Sequence, residues 1–462
     1  MRVLVINPPY YGKTYNRVAR WDGVSISQTI WYPIYLGYCT GLLEKYGHKV
    51  RFMDAVADRL SMDSVVREAD RFSPELAVVN YSLLSSGIDL KTAEEIKDAT
   101  GCYTVLVGPC CSIRPKETLK KSEKVDGLIR REFDYPVLDL ANELPEKRVK
   151  NLSWRSGDKI VHNPERAPVS SEQLNEFPFV TDVYRRHLNI RNYYQAPQLH
   201  PFVDLFTGRS CSWGKCAFCL WSHTINKGVP YRTRSMDGVI KELWFVKRQM
   251  SFVREVFIQD DTLPAWRCRE LSSAIIESGL DIVWSCYARA DETMDYETLK
   301  LMRESGCRNL HVGYESADPR ILKNVNKGIT RKTMKEFTEA ANRAGLMIHA
   351  DFIFGLPGET VDTIKSTIEY AKKLDVDSYQ FIVPKAYPGT PYHGWLESKG
   401  YLKDGQVDYP HLSHEEICEW SRIAMRECFF SWRYFSRVAS KSPREIARVI
   451  SAGLRVLPRI FR

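Results

Sequence analysis

The chain has 462 residues, of which 44% are hydrophobic, 12% aromatic and 27% charged, and its formal net charge is +9. These proportions exclude a disordered chain, a collagen and a coiled coil. No stretch comes near the roughly 18 to 20 uninterrupted apolar residues that cross a bilayer, and the apolar run at the start is too short for a signal peptide. The sequence therefore predicts a cytoplasmic protein of about two or three domains.

The first 145 residues alternate short apolar runs with amphipathic stretches. The strand candidates are Val3–Asn7, Lys49–Asp54, Leu76–Ser82, Thr104–Gly108 and Asp126–Arg130. Apolar runs separated by helices are typical of strands buried on both faces, so we predict an α/β fold with a doubly wound parallel sheet over residues 1–145. Ligands of such a sheet bind beyond the carboxyl ends of its strands, which makes this segment a candidate binding domain.

A second run of alternating strands and helices follows a linker. Residues 146–200 are predicted to be this linker, with a polar β-hairpin in it. The later strand candidates are Val203–Gly208, Glu255–Asp261, Ile282–Arg289, Asn309–Ser316, Met347–Pro357 and Asp377–Ala386. Six strand–helix units predict a partial (β/α)6 barrel over residues 201–400, with its chemistry at the carboxyl ends of the strands. Residues 401–462 are predicted to form a helical, basic C-terminal extension.

Three of the twelve cysteines stand close together, in the segment FTGRSCSWGKCAFCLW. Cys211, Cys216 and Cys219 form a Cys-x4-Cys-x2-Cys pattern just after the first predicted barrel strand. Three thiolates hold three irons of a four-iron cluster and leave the fourth iron open for a ligand. A zinc site completed by His223 is an alternative, as are a closed iron–sulfur site completed by the distant Cys268 and a chance group of buried cysteines.

A three-cysteine loop after the first strand of a partial barrel resembles the radical S-adenosylmethionine (SAM) superfamily. The usual spacing there is Cys-x3-Cys-x2-Cys, and this chain has one residue more. Further segments match at the strand ends in the family's order, and they are Gln259–Asp261, Arg289, Gly313–Ser316, Gly355–Thr360 and Tyr387–Pro391.

The resemblance implies that the three cysteines hold a [4Fe-4S] cluster whose open iron chelates SAM. One electron, from a reductant such as ferredoxin or flavodoxin, would split the sulfonium and give methionine and a 5′-deoxyadenosyl radical. The residues implied to contact SAM are Asp260, Asp261, Arg289, Glu315 and Gly355. Arg289 would pair with the SAM carboxylate as a fixed fork, and Glu315 would accept a hydrogen bond. No catalytic residue follows, and the candidates for quenching the radical, by type and approximate place, are Tyr231, Tyr287 and Cys286.

A doubly wound domain ahead of such a barrel resembles the cobalamin-binding-domain class of the superfamily. Cobalamin is therefore a further candidate cofactor, with Ser82, Ser85 and Gly108 as candidate contacts. The chain lacks an Asp-x-His-x-x-Gly stretch that would place a histidine on cobalt, and bulky side chains in Arg130–Tyr135 would crowd a corrin tail. The alternative is a vestigial fold used for docking or for covering the substrate.

Several segments resemble the hopanoid-biosynthesis radical SAM proteins, which remodel a sugar head group into a cyclitol ether. They include Ile30–Pro33, Glu132–Tyr135, Phe179–Tyr184, Phe218–Trp221 and Tyr231–Ser235. The resemblance implies an enzyme that rearranges or joins carbon atoms on the polyol head group of a membrane lipid, of hopanoid or archaeal tetraether type. Its substrate would be a lipid or a lipid-linked polyol.

The C-terminal segment is strongly basic, because Arg437–Arg462 holds seven basic residues against one acid and so six of the nine net positive charges. Apolar residues recur there at helical spacing beside arginines, and they are Ile446, Val449, Ile450, Gly453, Leu454 and Leu457. This pattern is typical of a helix on an anionic membrane surface, so we predict a peripheral protein at the inner face of the cell membrane. A helix docked on the barrel is the alternative. Nucleic-acid binding is not expected, because stacking aromatic residues are missing.

Three other functions remain open at this point. The first is a cobalamin-dependent radical SAM methyltransferase. The second is a tRNA methylthiotransferase, which Cys39, Cys102 and Cys110 suggest and which would carry a second cluster. The third is a non-catalytic iron–sulfur sensor, which would keep the cluster without cleaving SAM.

Overall fold

The computed structural model describes residues 1–17, 22–25 and 27–460, with side chains up to Arg455. The chain forms two compact units, each discontinuous in sequence. The first comprises Met1–Gln195, His200–Gly208 and His223–Val253, and the second comprises Ala196–Leu199, Arg209–Ser222 and Arg254–Arg462. The predicted boundaries differ, because they assign residues 201–253 to the barrel as one stretch.

The strands are numbered in chain order. They are β1 (Arg2–Asn7), β2 (Tyr15–Arg17), β3 (Asp22–Val24), β4 (Lys49–Asp54), β5 (Leu76–Asn80), β6 (Tyr103–Val107), β7 (Gly127–Ile129), β8 (Leu152–Ser156), β9 (Lys159–His162), β10 (Phe202–Leu205), β11 (Gly208–Arg209), β12 (Arg232–Thr233), β13 (Glu255–Ile258), β14 (Trp284–Ala288), β15 (Cys307–Glu315), β16 (Met347–Ile353), β17 (Ser378–Ile382), β18 (Leu402–Lys403) and β19 (Gln406–Val407).

The α-helices are numbered in the same way. They are α1 (Ile34–Lys45), α2 (Met62–Phe72), α3 (Ser86–Thr100), α4 (Pro115–Lys120), α5 (Asp134–Ala141), α6 (Ser171–Leu174), α7 (Val180–His187), α8 (Leu220–His223), α9 (Met236–Gln249), α10 (Ala265–Glu277), α11 (Tyr296–Glu304), α12 (Pro319–Asn324), α13 (Arg331–Arg343), α14 (Val361–Lys373), α15 (Pro391–Lys399), α16 (His414–Phe429), α17 (Trp432–Ala439) and α18 (Pro443–Ile460). Short 3₁₀ helices lie at Pro109–Ser112, Glu146–Arg148 and Ile190–Asn192.

The first unit is built on a seven-stranded sheet with the strand order β4-β1-β5-β6-β7-β8-β9. The strands from β4 to β7 are parallel, as predicted, and their core residues are buried because helices alternate with them. The predicted hairpin is present as β8 and β9, and β8 pairs antiparallel to β7. The segment predicted to be a linker therefore carries two strands of this sheet.

The second unit contains a parallel sheet in which β13, β14, β15, β16 and β17 follow one another in chain order. All six strands predicted for the barrel are formed, the first of them as β10. Polar side chains start the helices between the strands, because Asp295, Thr330 and Thr360 accept hydrogen bonds from the first turns of α11, α13 and α14.

The two faces of this sheet are unlike, because successive side chains of a strand point to opposite sides. One face is apolar and packs on helices; for example, the hydroxyl of Tyr314 contacts Thr338 of α13 at 2.6 Å. The other face carries Tyr287, His311 and His349, whose rings contact one another. We call this second face the polar face.

Helices α16, α17 and α18 form the C-terminal part of the second unit, as the sequence predicts. Tyr379 of β17 packs its ring against Phe429 and Tyr434, at centroid distances of 5.7 and 6.0 Å. None of the helices in the described part of the chain combines the length and the apolar content that crossing a bilayer requires.

Part of the basic charge of the C-terminal segment is used inside the second unit. Arg437 and Lys441 both pair with the buried Asp377, at 2.8 Å for Arg437. Arg448 pairs with Glu445 at 2.6 Å. These three basic residues are therefore fixed by acids of the protein itself.

The apolar residues of the predicted stripe on α18 differ in exposure. Ile446 and Val449 are half-buried, whereas Ile450 and Leu454 are exposed. The side chain of Leu457 and residue Arg462 lie outside the described residues. Part of the predicted stripe is therefore covered by the protein, and its contact with a membrane stays a prediction.

Candidate cluster and SAM site

The three clustered cysteines lie on one loop of the second unit, and all three side chains are half-exposed. The loop turns tightly, since the amide of Cys219 donates to the carbonyl of Cys216 at 3.1 Å. Gly214 has a φ of +61°, in the left-handed region that favours glycine. The loop thus presents three thiols on the same short stretch of backbone.

Contacts of Ala217 fix the position of this loop. Its N–H donates to the carbonyl of Val325 at 2.9 Å, and its carbonyl accepts from the N–H of Tyr392 at 3.1 Å. Its side chain belongs to a buried apolar cluster that includes Val325 and Leu356. The end of α12, the turn after β16 and the start of α15 therefore hold the cysteine loop from behind.

Arg289, which follows β14, lies beside the cysteine loop. Its guanidinium carbon is 4.1 Å from the ring centroid of Trp213, and its Nε is 3.0 Å from a carboxylate oxygen of Asp291. It also donates a hydrogen bond to the carbonyl of Lys327. Trp213 is itself held, because its indole N–H donates to the carbonyl of Asn326 at 2.8 Å. Stacking and pairing fix the plane of the guanidinium.

Glu315 ends β15 and is buried, with a φ of +63°. The ammonium of Lys327 lies 2.5 Å from its Oε1 atom. A side chain at Gly313 would collide with this pair, so the glycine leaves the room that the pair needs. The predicted segment Gly313–Ser316 therefore delivers one acid to the site.

The cysteines and the Glu315–Lys327 pair influence one another electrostatically. Burial raises the pKa of the Cys216 thiol to about 12, the positive charge of Lys327 lowers it, and Cys219, Glu315 and Cys211 raise it further. These groups form one site because they lie close enough to interact. A protonated thiol releases its proton when it becomes a metal ligand, so cluster binding would be favoured by higher pH.

The donor set fits a [4Fe-4S] cluster. Three thiols on a single loop can hold three irons, and the nearby cations Arg289 and Lys327 offset negative charge. Across residues 1–17, 22–25 and 27–460, no three His, Cys, Asp or Glu side chains are arranged to hold a single metal ion.

The other residues predicted to contact SAM lie on the same unit. Asp260 and Asp261 follow β13 and are buried. Gly355 follows β16 with a φ of +97°, and its carbonyl accepts hydrogen bonds from the hydroxyls of Tyr392 and Tyr409, at 2.7 and 2.9 Å. The contact of these three residues with SAM stays a prediction.

The candidates for quenching the radical fall in different places. Tyr287 lies on the polar face of the sheet of the second unit, where its ring contacts His311. Cys286 lies on the opposite face, where its thiol meets Cys268 and Cys307 and burial raises its pKa. Neighbouring residues of a strand cannot both face the same side, so Cys286 is excluded from the polar face. Tyr231 belongs to the first unit, with its hydroxyl 3.5 Å from Thr207.

The candidate cobalamin contacts of the first unit are engaged with protein groups. The hydroxyl of Ser82 bonds the carboxylate of Asp22 and the hydroxyl of Tyr15, the latter at 3.0 Å. Gly108 has a φ of +122°, and a side chain there would lie 2.8 Å from the carbonyl of Tyr81. The strand order places the ligand crevice of this sheet between the ends of β1 and β5.

Arg17 occupies that crevice. Its guanidinium donates to the carbonyl of Pro8 at 2.8 Å, to the hydroxyl of Ser85 at 3.1 Å and to the carboxylate of Asp89 at 2.6 Å. Arg17 and Asp89 are both buried. This buried ion pair therefore lies at the edge where the candidate cobalamin contacts are found, and the contact of those residues with cobalamin stays a prediction.

The sequence did not predict two residues of the cluster and SAM site. Lys327 follows the matching segment at the end of β15 by twelve residues, with α12 in between, so spacing alone does not connect it to Glu315. Trp213 lies inside the cysteine pattern itself, between Cys211 and Cys216. An aromatic residue in a loop next to a predicted arginine site is the one signal that would have pointed to it.

Comparison with known proteins is consistent with this site. Residues 205–371 match the family model of the Radical SAM superfamily. An uncharacterised methyltransferase of Pyrococcus horikoshii is 29% identical to this chain, over 84% of the chain and 82% of the relative. A cytidylyl-2-hydroxyethylphosphonate methyltransferase of Streptomyces wedmorensis is 25% identical, over 84% of each protein. The anaerobic magnesium-protoporphyrin IX monomethyl ester cyclase of Rubrivivax gelatinosus is 24% identical, over 94% of this chain and 79% of the relative.

Two solved structures share the fold. The radical SAM methyltransferase TsrM from Kitasatospora setae, with tryptophan and a SAM analogue bound, superposes with a TM-score of 0.70 at 17% identity, over 97% of this chain and 90% of its own. The cobalamin-dependent SAM radical enzyme OxsB, with aqua-cobalamin and SAM bound, has a TM-score of 0.70 at 14% identity, over 97% of this chain and 70% of its own. The three-cysteine loop at the edge of a parallel sheet agrees with the family match: residues 205–371 form a Radical SAM domain, whose cofactors are SAM and a [4Fe-4S] cluster.

Proposed function

We propose that this chain is a cobalamin-dependent radical SAM methyltransferase. One observation carries the proposal, namely that a doubly wound unit and a radical SAM unit occur together in a chain that shares its fold with TsrM and OxsB over 97% of its length. Cobalamin is bound in structures of both neighbours. Two of the relatives by sequence are methyltransferases.

We favour methyl transfer over two other functions that were considered from the sequence. The relatives favour it over the remodelling of a lipid head group, which the resemblance to hopanoid-biosynthesis proteins implied. A tRNA methylthiotransferase is the weaker alternative, because a relative of that kind is 23% identical over only 51% of this chain. A lipid or lipid-linked polyol substrate and a ferredoxin or flavodoxin reductant stay predictions.

In this proposal the three cysteines hold the cluster, and the chemistry that the bound cluster supplies is the one-electron cleavage of SAM. Glu315 accepts a hydrogen bond from the SAM ammonium. Lys327 orients that carboxylate, because its ammonium is 2.5 Å away. Arg289 is held by Trp213 and Asp291 and faces the SAM carboxylate as a fixed fork.

The test uses the full chain, reconstituted with iron and sulfide under anaerobic conditions and incubated with reductant, cobalamin and methyl-labelled SAM. We expect bound corrinoid, release of S-adenosylhomocysteine and 5′-deoxyadenosine, and one labelled methyl group on a metabolite from an extract of the source cells. The variant Cys216→Ala should lose iron and both products. The control variant Cys418→Ala changes another half-exposed cysteine, on α16, and should keep them.

Two results would contradict the proposal. Release of 5′-deoxyadenosine without any S-adenosylhomocysteine would leave a radical SAM enzyme that does not transfer methyl groups. Methyl transfer that proceeds without corrinoid would remove cobalamin while keeping the reaction class.

We also propose that the C-terminal helices contact a membrane surface. Trp432, on α17, is 85% exposed, and Phe435, Ile450 and Leu454 are exposed as well. The exposed basic residues of the same helices include Arg433, Arg444 and Arg455. Exposed aromatic and aliphatic side chains beside arginines are suited to an anionic lipid surface.

A further inference from the structure

The polar face of the sheet in the second unit carries more chemistry than SAM binding requires. The strand register aligns Tyr287, His311, His349 and Ser378 across the sheet, followed two residues later by Gly313, Asp351 and Gln380. Residues two apart on a strand point to the same side, so these side chains share one face. A row with two histidines and an acid at this place is a candidate site.

The inner part of this row is tightly held. The ring of His311 lies 5.4 Å from that of Tyr287 and 4.9 Å from that of His349, measured between centroids. The side-chain nitrogen of Gln198 is 3.0 Å from Nε2 of His311. His311 and Gln198 are buried, so they form a fixed floor beneath His349.

His349 connects this floor to two acceptor groups. Its Nδ1 atom is 2.7 Å from the hydroxyl of Ser378, and its Nε2 atom is 3.4 Å from both Asp351 Oδ1 and Gln380 Oε1. A single ring nitrogen that faces two oxygens at the long limit of hydrogen bonding satisfies neither of them. The acceptor capacity of Asp351 and Gln380 is therefore left for another molecule.

The nearby cations of the cluster site are engaged elsewhere. Arg289 pairs with Asp291 at 3.0 Å, and Lys327 pairs with Glu315 at 2.5 Å. Among the described residues, the contact with His349 is the one ion pair found for Asp351, whose side chain is 21% exposed. A half-buried carboxylate with a long, single contact is an acceptor that attracts hydrogen-bond donors.

We propose that Asp351, His349 and Gln380 form a substrate-positioning site that binds a polarised N–H or O–H group of the substrate, an ammonium or a hydroxyl. The inference rests on the proposed function in taking the polar face as the place where the methyl acceptor lies. The donor group is held by Asp351 and Gln380, and His349 lies beside both acceptors. Carboxylate and phosphate groups are disfavoured here by the charge of Asp351.

The experiment measures binding of small probes and does not need turnover. The full chain is labelled with ¹³C at Cε1 of its histidines, and the NMR signal of His349 is assigned with the variant His349→Gln. The probes are ethylammonium, ethylene glycol and acetate, each titrated at constant pH and ionic strength. We expect a saturable shift of the His349 signal with one or both donor probes and none with acetate.

Two variants separate the site from non-specific binding. Asp351→Asn removes the charge with little change of shape, and it should weaken ethylammonium binding at least about ten-fold, as the loss of a hydrogen bond to a charged group predicts. Asp362→Asn makes the same change at an exposed position on the first turn of α14 and should bind as the wild type does. Stronger binding of ethylammonium than of glycol identifies an amine, and the reverse order identifies a hydroxyl.

Three outcomes overturn the inference: no shift with either donor probe, an equal shift with acetate, or wild-type binding by Asp351→Asn. Release of S-adenosylhomocysteine by the same preparation is measured separately. A protein that binds neither donor probe yet transfers methyl groups refutes the positioning site alone, whereas probe binding without methyl transfer refutes the proposed function alone.

Discussion

The ammonium of Lys327 lies 2.5 Å from Oε1 of Glu315, and this ion pair joins the end of β15 to the loop after α12. Glu315 has a φ of +63°, which costs a residue other than glycine on the order of 1 to 2 kcal/mol. The backbone carbonyl of Lys327 also accepts a hydrogen bond from Arg289. Lys327 therefore contacts both Glu315 and Arg289, the two residues predicted to bind SAM at this place.

The first prediction concerns this pair. Lys327→Met keeps the length of the side chain and removes its charge, which leaves the buried Glu315 carboxylate without its partner. We expect SAM to bind about 10- to 100-fold more weakly, because Glu315 loses the hydrogen bond from Lys327 that orients it toward SAM. Iron content should stay at the wild-type value, because no cysteine is changed.

The measurement is SAM affinity by equilibrium dialysis, with iron determined on the same sample. Lys332→Met removes a lysine that is 82% exposed on α13, so it serves as the matched control. Loss of iron together with SAM affinity would show that Lys327 acts on the cysteine loop rather than on SAM.

The elements that the sequence predicts correctly are those set by local pattern. Apolar runs such as Leu76–Asn80 are buried on both faces, and a capping residue such as Thr360 marks where a helix begins. The position of the cysteines directly after a predicted strand likewise predicts a loop at one edge of the sheet, because the strand ends of a parallel sheet gather there.

What the sequence did not predict depends on contacts between distant segments. The Glu315–Lys327 pair spans a helix, and Arg437 reaches an acid sixty residues away, at Asp377. Such pairs leave no periodic pattern in the sequence. The pair of Arg437 and Asp377 is the reason why part of the basic tail is not available to a membrane. The position of Cys286 is different, because alternation along β14 already separates it from Tyr287.

The second prediction concerns the buried pair of Arg17 and Asp89 in the first unit, whose atoms approach to 2.6 Å. Arg17→Met leaves Asp89 buried and unpaired, which should lower the free energy of unfolding of the first unit by about 3 to 5 kcal/mol. Urea unfolding followed by circular dichroism measures this. Replacing both residues, as Arg17→Met with Asp89→Leu, should recover much of the loss, because no charge is then left buried.

Arg67→Met, at an exposed position on α2, is the matched control and should change the free energy of unfolding by less than about 0.5 kcal/mol. A similarly small effect of Arg17→Met would mean that the pair does not stabilise the first unit.

The third prediction concerns pH. Burial raises the pKa of Glu359 to about 7, although its carboxylate accepts from the amide of Gly355 and the hydroxyl of Thr363. A pKa raised in the folded state means that folding favours the protonated form. The stabilising contribution is therefore complete below the unfolded pKa near 4.5 and is lost as the pH rises through about 7.

Between pH 5 and pH 8 the wild type should lose about 2.5 kcal/mol more unfolding free energy than Glu359→Gln, which cannot ionise. The difference between the two proteins isolates Glu359 from other titrating groups, such as Asp22 and Asp54, whose pKa values are also raised by burial. Parallel pH profiles of the two proteins would show that Glu359 ionises normally.

The fourth prediction concerns the proposed membrane contact. Trp432 is 85% exposed on α17. The transfer of an aromatic side chain of this size from water into the interface of a bilayer lowers the free energy. Trp432→Ser should therefore weaken binding to vesicles that contain anionic phosphatidylglycerol by about ten-fold, and added salt should weaken binding of the wild type because arginines contribute. Co-sedimentation of the full chain with vesicles measures both effects. Trp266→Ser, at a half-exposed position on α10, is the control. If sedimentation does not depend on lipid charge, on salt or on Trp432, these helices do not contact a membrane.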